Sequence, residues 1–164
     1  FLASDFHGMT VAEKLIEQTG IIGEKIEIGA FERIEGPFLG AYIHAGNKIA
    51  AITSLSANVD GGAEVAKSVS MQVAAMNPIA LDETKVSQET IDKELEIERE
   101  LLTKEGKPAN IIDNILKGKM QKFYKDNTLV HQAFIKDSAV SVADYVKSVN
   151  GDLKVVGYVR ASLT

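Results

Sequence analysis

Hydrophobic and polar positions repeat with two different periods along the first part of the chain. Apolar residues recur at helical spacing through residues 11–19, and Thr10 with Glu13 three residues later has the pattern of a capping box. This predicts a helix that ends at the following glycines. From residue 26 to 34 apolar residues alternate largely with charged or small ones, which predicts a half-buried strand.

Two short apolar runs, at 38–44 and 48–55, predict a pair of neighbouring strands. Gly46 and Asn47 lie between them, and both residue types adopt positive φ at little cost, as a tight turn requires. Together with the strand predicted at 26–34, the simplest arrangement is a three-stranded antiparallel meander.

Helical patterns fill the middle of the chain. Residues 63–76 predict a buried helix that stops at Asn77-Pro78, because the residue before a proline is disfavoured in the α region. Residues 87–105 and 108–123 carry narrow, complementary apolar stripes, with a glycine and a proline between them. These two segments predict an antiparallel helical hairpin that projects from the body. Two helices that lie on the main core are the alternative.

The last part of the chain completes the predicted sheet. Residues 129–135 predict an extended apolar segment, Ser141 is the expected cap of a short helix, and the β-branched run at 153–161 predicts a strand. The fold class is therefore α+β. We expect a small antiparallel sheet backed by helices, with the helical hairpin inserted between its halves.

Composition narrows the classes of function. The 164 residues suffice for one domain, or for two small ones that share a core. A net charge of −5 lacks the positive field that nonspecific nucleic-acid binding uses, so we expect no direct nucleic-acid partner. No apolar run is long enough to span a membrane, and without cysteine there is no disulfide or thiolate site.

Sequence motifs of catalysis or cofactor binding are missing. His7, His44 and His131 are far apart and lack metal-binding spacing; neither a phosphate-binding glycine loop nor a nucleophile elbow is present. We predict no enzyme, no metal and no cofactor. A small hydrolase that pairs His44 with Thr53 or Ser54 is an alternative without a signalled nucleophile. His44 itself either stabilises its own turn or is a surface group that a partner touches.

Several segments, taken in order, resemble one protein family. They include IGEKIEI at 22–28, LGAYIHAGNKIA at 39–50, AKSVSMQVAAMNP at 66–78 and VVGYVR at 155–160. Each segment is weak alone, but the series is specific and covers nearly the whole chain. The chain resembles the bacterial translation elongation factor Ts family, whose members are nucleotide exchange factors for the GTPase EF-Tu.

The resemblance implies a cytoplasmic factor that binds GDP-bound and nucleotide-free EF-Tu and lets GDP leave without a covalent intermediate. It also implies a domain organisation: residues 1–36 as the remnant of a first core subdomain, 37–80 with 126–164 as the second, and 84–125 as a coiled-coil-like hairpin. The alternative is a structural or dimerising module without exchange activity, because some relatives pair two copies.

Two short regions match segments through which the family touches EF-Tu. Ile22 and Gly23 match the segment that contacts the GTPase domain. The turn at His44 matches the segment that contacts domain 3, and Lys48 there takes the place of an arginine, which removes two-pronged hydrogen bonding. The 164 residues lack the family's N-terminal helical module and its Thr-Asp-Phe-Val motif, and residues 4–7 resemble that motif by coincidence. We therefore expect a fragment that binds EF-Tu but is weak in exchange.

Overall fold

The chain divides into two compact units, Phe1–Arg33 and Ile34–Thr164, in the computed structural model, which describes residues 1–163. The first unit contains β1 (Asp5–Phe6), β2 (Met9–Thr10) and α1 (Val11–Ile22). In the second unit, the chain order is β3 (Phe38–Ile43), β4 (Ile49–Leu55), α2 (Gly62–Met76), a short 3-10 helix (Glu83–Lys85), α3 (Gln88–Lys104), α4 (Ala109–Asn127), β5 (Ala133–Phe134), β6 (Asp137–Ser141), α5 (Val142–Val149) and β7 (Val155–Ser162).

The predicted capping box begins α1 and is confirmed. Thr10 Oγ1 accepts a hydrogen bond from the Glu13 N–H at 3.1 Å, and the Glu13 carboxylate accepts one from the Thr10 N–H at 2.7 Å. Both bonds satisfy donors that a helix N-terminus leaves without partners. They also lower the pKa of Glu13, first through the backbone bond and then through the Thr10 side chain.

The main sheet is antiparallel with the strand order β3-β4-β7. The strands predicted at 38–44, 48–55 and 153–161 are confirmed, whereas the strand at 26–34 and the meander built on it were wrong. Residues 25–36 form neither helix nor strand. The free edge of β4 pairs instead with β7, so that Ile52 lies opposite Val159.

Helix α2 backs one face of this sheet at close range. A Cβ atom on Gly40 would lie 2.3 Å from the Ala66 Cβ, so only a glycine permits this approach. Ser70 on α2 donates a hydrogen bond to the Gly40 carbonyl at 2.9 Å. The sheet backed by helices, and hence the α+β class, is confirmed. The body core is formed by buried residues that include Leu55, Val65, Val69, Val73, Leu129, Val142, Val146 and Leu153.

The inserted helical hairpin of α3 and α4 has a small apolar cluster of its own. Leu102, Ile112 and Leu116 are buried there, with Leu95 and Ile115 packed against them. Among residues 1–163, the body core takes no buried residue from either helix. The hairpin therefore packs chiefly on itself.

The segment that was predicted as extended at 129–135 is mostly a turn. His131 and Gln132 both donate their N–H groups to the Thr128 carbonyl, at 3.2 and 3.0 Å. Only β5 is extended, and it pairs with β6, a strand that the pattern did not predict. Leu129 is fully buried inside the turn, so the apolar run reflects burial rather than a strand.

Candidate partner-binding site

The turn between β3 and β4 places His44 at its mouth. The His44 N–H donates to the Ile49 carbonyl at 2.9 Å, and the His44 carbonyl accepts from the Asn47 N–H at 3.0 Å. Gly46 and Asn47 have φ values of 87° and 55°, as the sequence predicts for a tight turn. The backbone is thus fixed, while the His44 side chain is exposed.

Tyr42 orients the imidazole ring of His44. The Tyr42 hydroxyl lies 3.1 Å from His44 Nδ1, and the two ring centroids are 6.0 Å apart. Because Nδ1 is occupied, Nε2 and one ring face are the parts of His44 that another molecule can contact. The sequence analysis missed Tyr42. The two-residue period of a strand, which brings residues 42 and 44 to the same side, is the signal that could have found it.

Lys48 lies on the far side of the same turn. Its carbonyl accepts a hydrogen bond from the Leu163 N–H at 2.8 Å, which ties the turn to the end of β7. Its side chain is exposed, and nothing within residues 1–163 forms an ion pair with its ammonium group. The turn therefore carries an exposed imidazole and an exposed cation.

Gly23 ends α1 in the left-handed conformation, with φ 79° and ψ 6°. Its N–H donates to the Thr19 carbonyl at 2.9 Å, and a Cβ atom there would meet no heavy atom within 4 Å. The backbone angle, rather than crowding, therefore requires the glycine. Ile22 beside it is 55% exposed, and Ile21 is 68% exposed. Ile22 and Gly23 belong to the first unit, whereas His44 and Lys48 belong to the second.

The two hydroxyl residues that a hydrolase would pair with His44 are both buried. Thr53 is fully buried, and its hydroxyl oxygen lies 3.0 Å from the Ser70 hydroxyl oxygen. Ser54 is buried too. In the part of the chain that the structure describes, no three His, Cys, Asp or Glu side chains come close enough together to hold a metal ion. No helix in residues 1–163 combines the length and the apolar character needed to cross a membrane.

Comparisons with known proteins agree on one family. The sequence model of the family described as Elongation factor TS matches residues 1–164. A curated Elongation factor Ts of Christiangramia forsetii is 63% identical over 163 residues, which cover 99% of this chain and 60% of that protein. The protein of the same name from Flavobacterium psychrophilum is 60% identical with the same coverage. That of Porphyromonas gingivalis is 41% identical over 156 residues, 95% of this chain and 56% of its own length. The chain thus spans 56–60% of the length of these relatives.

Proposed function

The chain belongs to the elongation factor Ts family, and from this premise we propose that its 164 residues bind the translation GTPase EF-Tu and take part in guanine-nucleotide exchange. The observation that carries the proposal is the match of the family over the whole chain. The exposed, rigidly held turn at His44 and Lys48 supports it, because protein contacts concentrate on a few well-placed groups.

In the proposed mechanism, the chain shifts an equilibrium of EF-Tu. A partner favours GDP release only if it binds the nucleotide-free state more tightly than the GDP-bound state. Each tenfold preference corresponds to about 1.4 kcal/mol. No covalent bond is made or broken, so the role is that of an exchange factor rather than an enzyme and needs no cofactor. We infer a cytoplasmic location for this role.

Each proposed contact residue offers a different interaction. His44 presents Nε2 and a ring face, because Tyr42 occupies Nδ1. Lys48 presents a flexible cation, and Ile22 presents an exposed aliphatic side chain beside the Gly23 cap. Apolar and aromatic groups at the centre of a contact contribute most to affinity, whereas a solvated cation contributes less.

Replacing His44 tests the proposed contact. We expect His44→Ala to weaken binding to nucleotide-free EF-Tu about fivefold or more, since a central contact is worth more than about 1 kcal/mol. The free energy of unfolding should change by less than about 0.5 kcal/mol, because the turn is held by backbone hydrogen bonds. Calorimetric titration and urea unfolding measure the two quantities.

Two matched variants serve as controls for that experiment. Tyr42→Phe removes the hydroxyl that holds Nδ1 but keeps the ring, and should weaken binding by less than His44→Ala. Lys48→Ala should weaken binding by less than His44→Ala, because a solvated cation contributes less. Its control, Lys107→Ala, removes an exposed lysine from the other turn, between α3 and α4, and should leave binding unchanged. A large loss of stability with intact EF-Tu binding in His44→Ala would reverse the assignment.

The level of exchange activity is a separate proposal. The Thr-Asp-Phe-Val motif through which the family acts near the magnesium site of EF-Tu does not occur in residues 1–164. We therefore expect these residues to bind EF-Tu but to accelerate GDP release only weakly. Release of a fluorescent GDP analogue from EF-Tu measures this rate, and full-strength acceleration would contradict the expectation.

A second candidate function is self-association, and the outer face of the main sheet favours it. Leu39 and Ile43 point away from α2 and are 42% and 63% exposed, and Ala41 lies between them on β3. Exposed apolar patches of this kind mark interaction sites. Light scattering of the chain with and without EF-Tu separates the candidates. A dimer that Ile43→Glu dissociates, and that ignores EF-Tu, would favour the structural module.

A further inference from the structure

The turn that follows α5 contains an asparagine followed by a glycine. Asn150 and Gly151 come directly after the helix, and both residues are exposed. This is the one asparagine of the chain that precedes a glycine; the others precede Lys48, Val59, Pro78, Ile111, Ile115 and Thr128. Asparagine before glycine is the pair most prone to deamidation, because glycine has no side chain that hinders ring closure onto its nitrogen.

The hydrogen bonds of the turn leave the reacting atoms accessible. The Leu153 N–H donates to the Asn150 carbonyl at 3.0 Å, and the Asp152 N–H donates to Asn150 Oδ1 at 3.1 Å. Within residues 1–163, the Gly151 N–H donates no hydrogen bond. A Cβ atom on Gly151 would meet no heavy atom within 4 Å. The Gly151 nitrogen is therefore free to react, and the donor on Oδ1 polarises the side-chain amide of Asn150.

We propose that Asn150 is a site of spontaneous deamidation through a succinimide formed with Gly151. The Gly151 nitrogen gives its proton to hydroxide or water and attacks Asn150 Cγ. The new N–C bond closes the ring, the Cγ–Nδ2 bond breaks, and ammonia leaves. Water then adds to either ring carbonyl and opens the ring, which leaves aspartate or isoaspartate at this position. Nothing is oxidised or reduced, and water is the only co-reactant.

The resting turn holds the reacting atoms apart. Asn150 has ψ 125°, which keeps the Gly151 nitrogen away from Cγ, because ring closure needs this nitrogen on the same side of the Cα–C bond as Cβ. Rotation about that bond requires release of the hydrogen bond from Leu153. The turn is exposed and short, so this is a local opening and not an unfolding of the body. The rate of opening therefore limits the reaction.

The products would disturb a connection between two fixed points. Val146 on α5 and Leu153 after the turn are both buried in the body core, and the Lys154 N–H donates to Ser56 Oγ at 3.0 Å. Aspartate would place a negative charge at the C-terminal end of α5, where the helix dipole disfavours it. Isoaspartate would lengthen the main chain by one methylene between the two buried residues. Deamidation should therefore loosen the end of α5.

Ageing of the purified chain at physiological temperature and mildly alkaline pH tests the proposal. Trypsin cleaves after Lys147 and Lys154, so residues 148–154 form one peptide that reports on Asn150. We expect mass spectrometry to show a growing fraction of this peptide with OH in place of NH₂. Chromatography should separate it into aspartate and isoaspartate forms. The unaged chain, digested in parallel, gives the baseline.

One variant and one internal control match this experiment. Gly151→Ala should preserve the fold, because the Cβ position is open and φ lies outside the left-handed region. It should slow the reaction about tenfold or more, which corresponds to at least about 1.4 kcal/mol in the barrier. Asn47 is also exposed and also lies in a tight turn, but a lysine follows it. Asn47, in the tryptic peptide of residues 34–48, should remain unchanged over the same period.

The consequence for α5 has its own test. Asn150→Asp introduces the carboxylate of one product without the ring, and should speed hydrogen exchange in α5 about twofold to fivefold through the helix dipole. Exchange in the main sheet should not change. Equal exchange in α5 of Asn150→Asp and the unchanged chain would contradict the loosening.

Three results would overturn the proposal. An intact 148–154 peptide in the aged chain, under conditions in which a synthetic peptide of residues 145–156 deamidates, would mean that the turn protects Asn150. Deamidation of Asn47 at the same rate would mean that exposure alone decides. An unchanged rate in Gly151→Ala, or aspartate without isoaspartate, would exclude the succinimide. The inference does not rest on the proposed function, because the reaction involves only this chain and water.

Discussion

The body around α2 and the hairpin of α3 and α4 bury very different amounts of apolar surface. Within residues 1–163, thirteen buried hydrophobic residues form the body core, whereas three form the cluster of the hairpin. The ion pair between Arg99 and Asp113 of the hairpin, at 2.8 Å, joins exposed side chains, and exposed pairs contribute little. The body therefore holds most of the free energy of unfolding, and the hairpin can open locally without it.

This difference bears on where contact residues can act. His44 and Lys48 lie on a turn between two strands of the body sheet, so the best-packed part of the molecule fixes their position. A preorganised contact loses less entropy when it binds. The hairpin, which packs on few residues, is better suited to adjust its shape.

The largest expected contrast comes from leucine truncations in the two regions. Leu55→Ala in the body should lower the global free energy of unfolding by about 4 kcal/mol, because Leu55 is fully buried. Leu116→Ala should cost about 2–3 kcal/mol, but only in the local opening of the hairpin. Hydrogen exchange followed by mass spectrometry measures both effects.

The pattern of hydrogen exchange along the chain distinguishes Leu55→Ala from Leu116→Ala. Leu55→Ala should reduce protection throughout the main sheet and α2, and Leu116→Ala should reduce it within residues 88–127 alone. If Leu116→Ala lowered protection of the sheet to the same extent, the hairpin and the body would be one cooperative unit.

Replacing two glycines by alanine should change stability in opposite directions. A Cβ on Gly40 would lie 2.9 Å from the backbone carbonyl carbon of Ala66, so Gly40→Ala forces α2 away from the sheet. We expect it to destabilise the body by about 3 kcal/mol. Gly118 lies inside α4 with no heavy atom within 4 Å of a Cβ position. Gly118→Ala should therefore stabilise the hairpin by about 0.5–1 kcal/mol.

Urea unfolding monitored by circular dichroism measures the first change, and hydrogen exchange in α4 measures the second. The two variants are matched, because each adds one methyl group to a glycine inside a regular element. A neutral Gly40→Ala would mean that the sheet and α2 have room to separate, contrary to the packing described above.

Local signals in the sequence predicted most of the helices. Thr10 with Glu13, Asn77 before Pro78, and Ser141 with Asp144 act within a few residues, and each marks a helix boundary in the structure. The turn at Gly46 and Asn47 was predictable for the same reason. The chemistry of caps and turns depends on neighbours along the chain, and the sequence contains that information directly.

The pairing of strands that lie far apart in the sequence was not predictable in this way. Residues 26–34 alternate as a strand does, yet the edge of β4 pairs with β7, about a hundred residues later. Ile26 instead donates its N–H to the Thr19 hydroxyl at 3.2 Å. The cavity beside the start of β7 was not predictable either, because its lining residues come from segments between positions 82 and 155 that only the folded chain brings together.

The smallest expected contrast is between two serine caps and depends on pH. Ser141 begins α5 in the body and Ser87 begins α3 in the hairpin; each hydroxyl accepts a backbone hydrogen bond, from Asp144 and Thr90 respectively. Ser141→Ala and Ser87→Ala should each cost about 1 kcal/mol, the first in global unfolding and the second in local opening of α3.

The costs of Ser141→Ala and Ser87→Ala should depend differently on pH, because only the cap at Ser141 includes a titrating group. The Ser141 side chain and then its backbone lower the pKa of Asp144 from its ordinary value of 3.8. A carboxyl group whose pKa is lower in the folded state stabilises the fold above its unfolded pKa, and this contribution is lost as pH falls through the folded pKa. The difference in unfolding free energy between the unchanged chain and Ser141→Ala should therefore shrink below about pH 4. The cost of Ser87→Ala should stay constant there, since neither Ser87 nor Thr90 titrates. Urea unfolding and hydrogen exchange between neutral and acidic pH test this, and an equal decline for both caps would assign the acid sensitivity to other carboxylates.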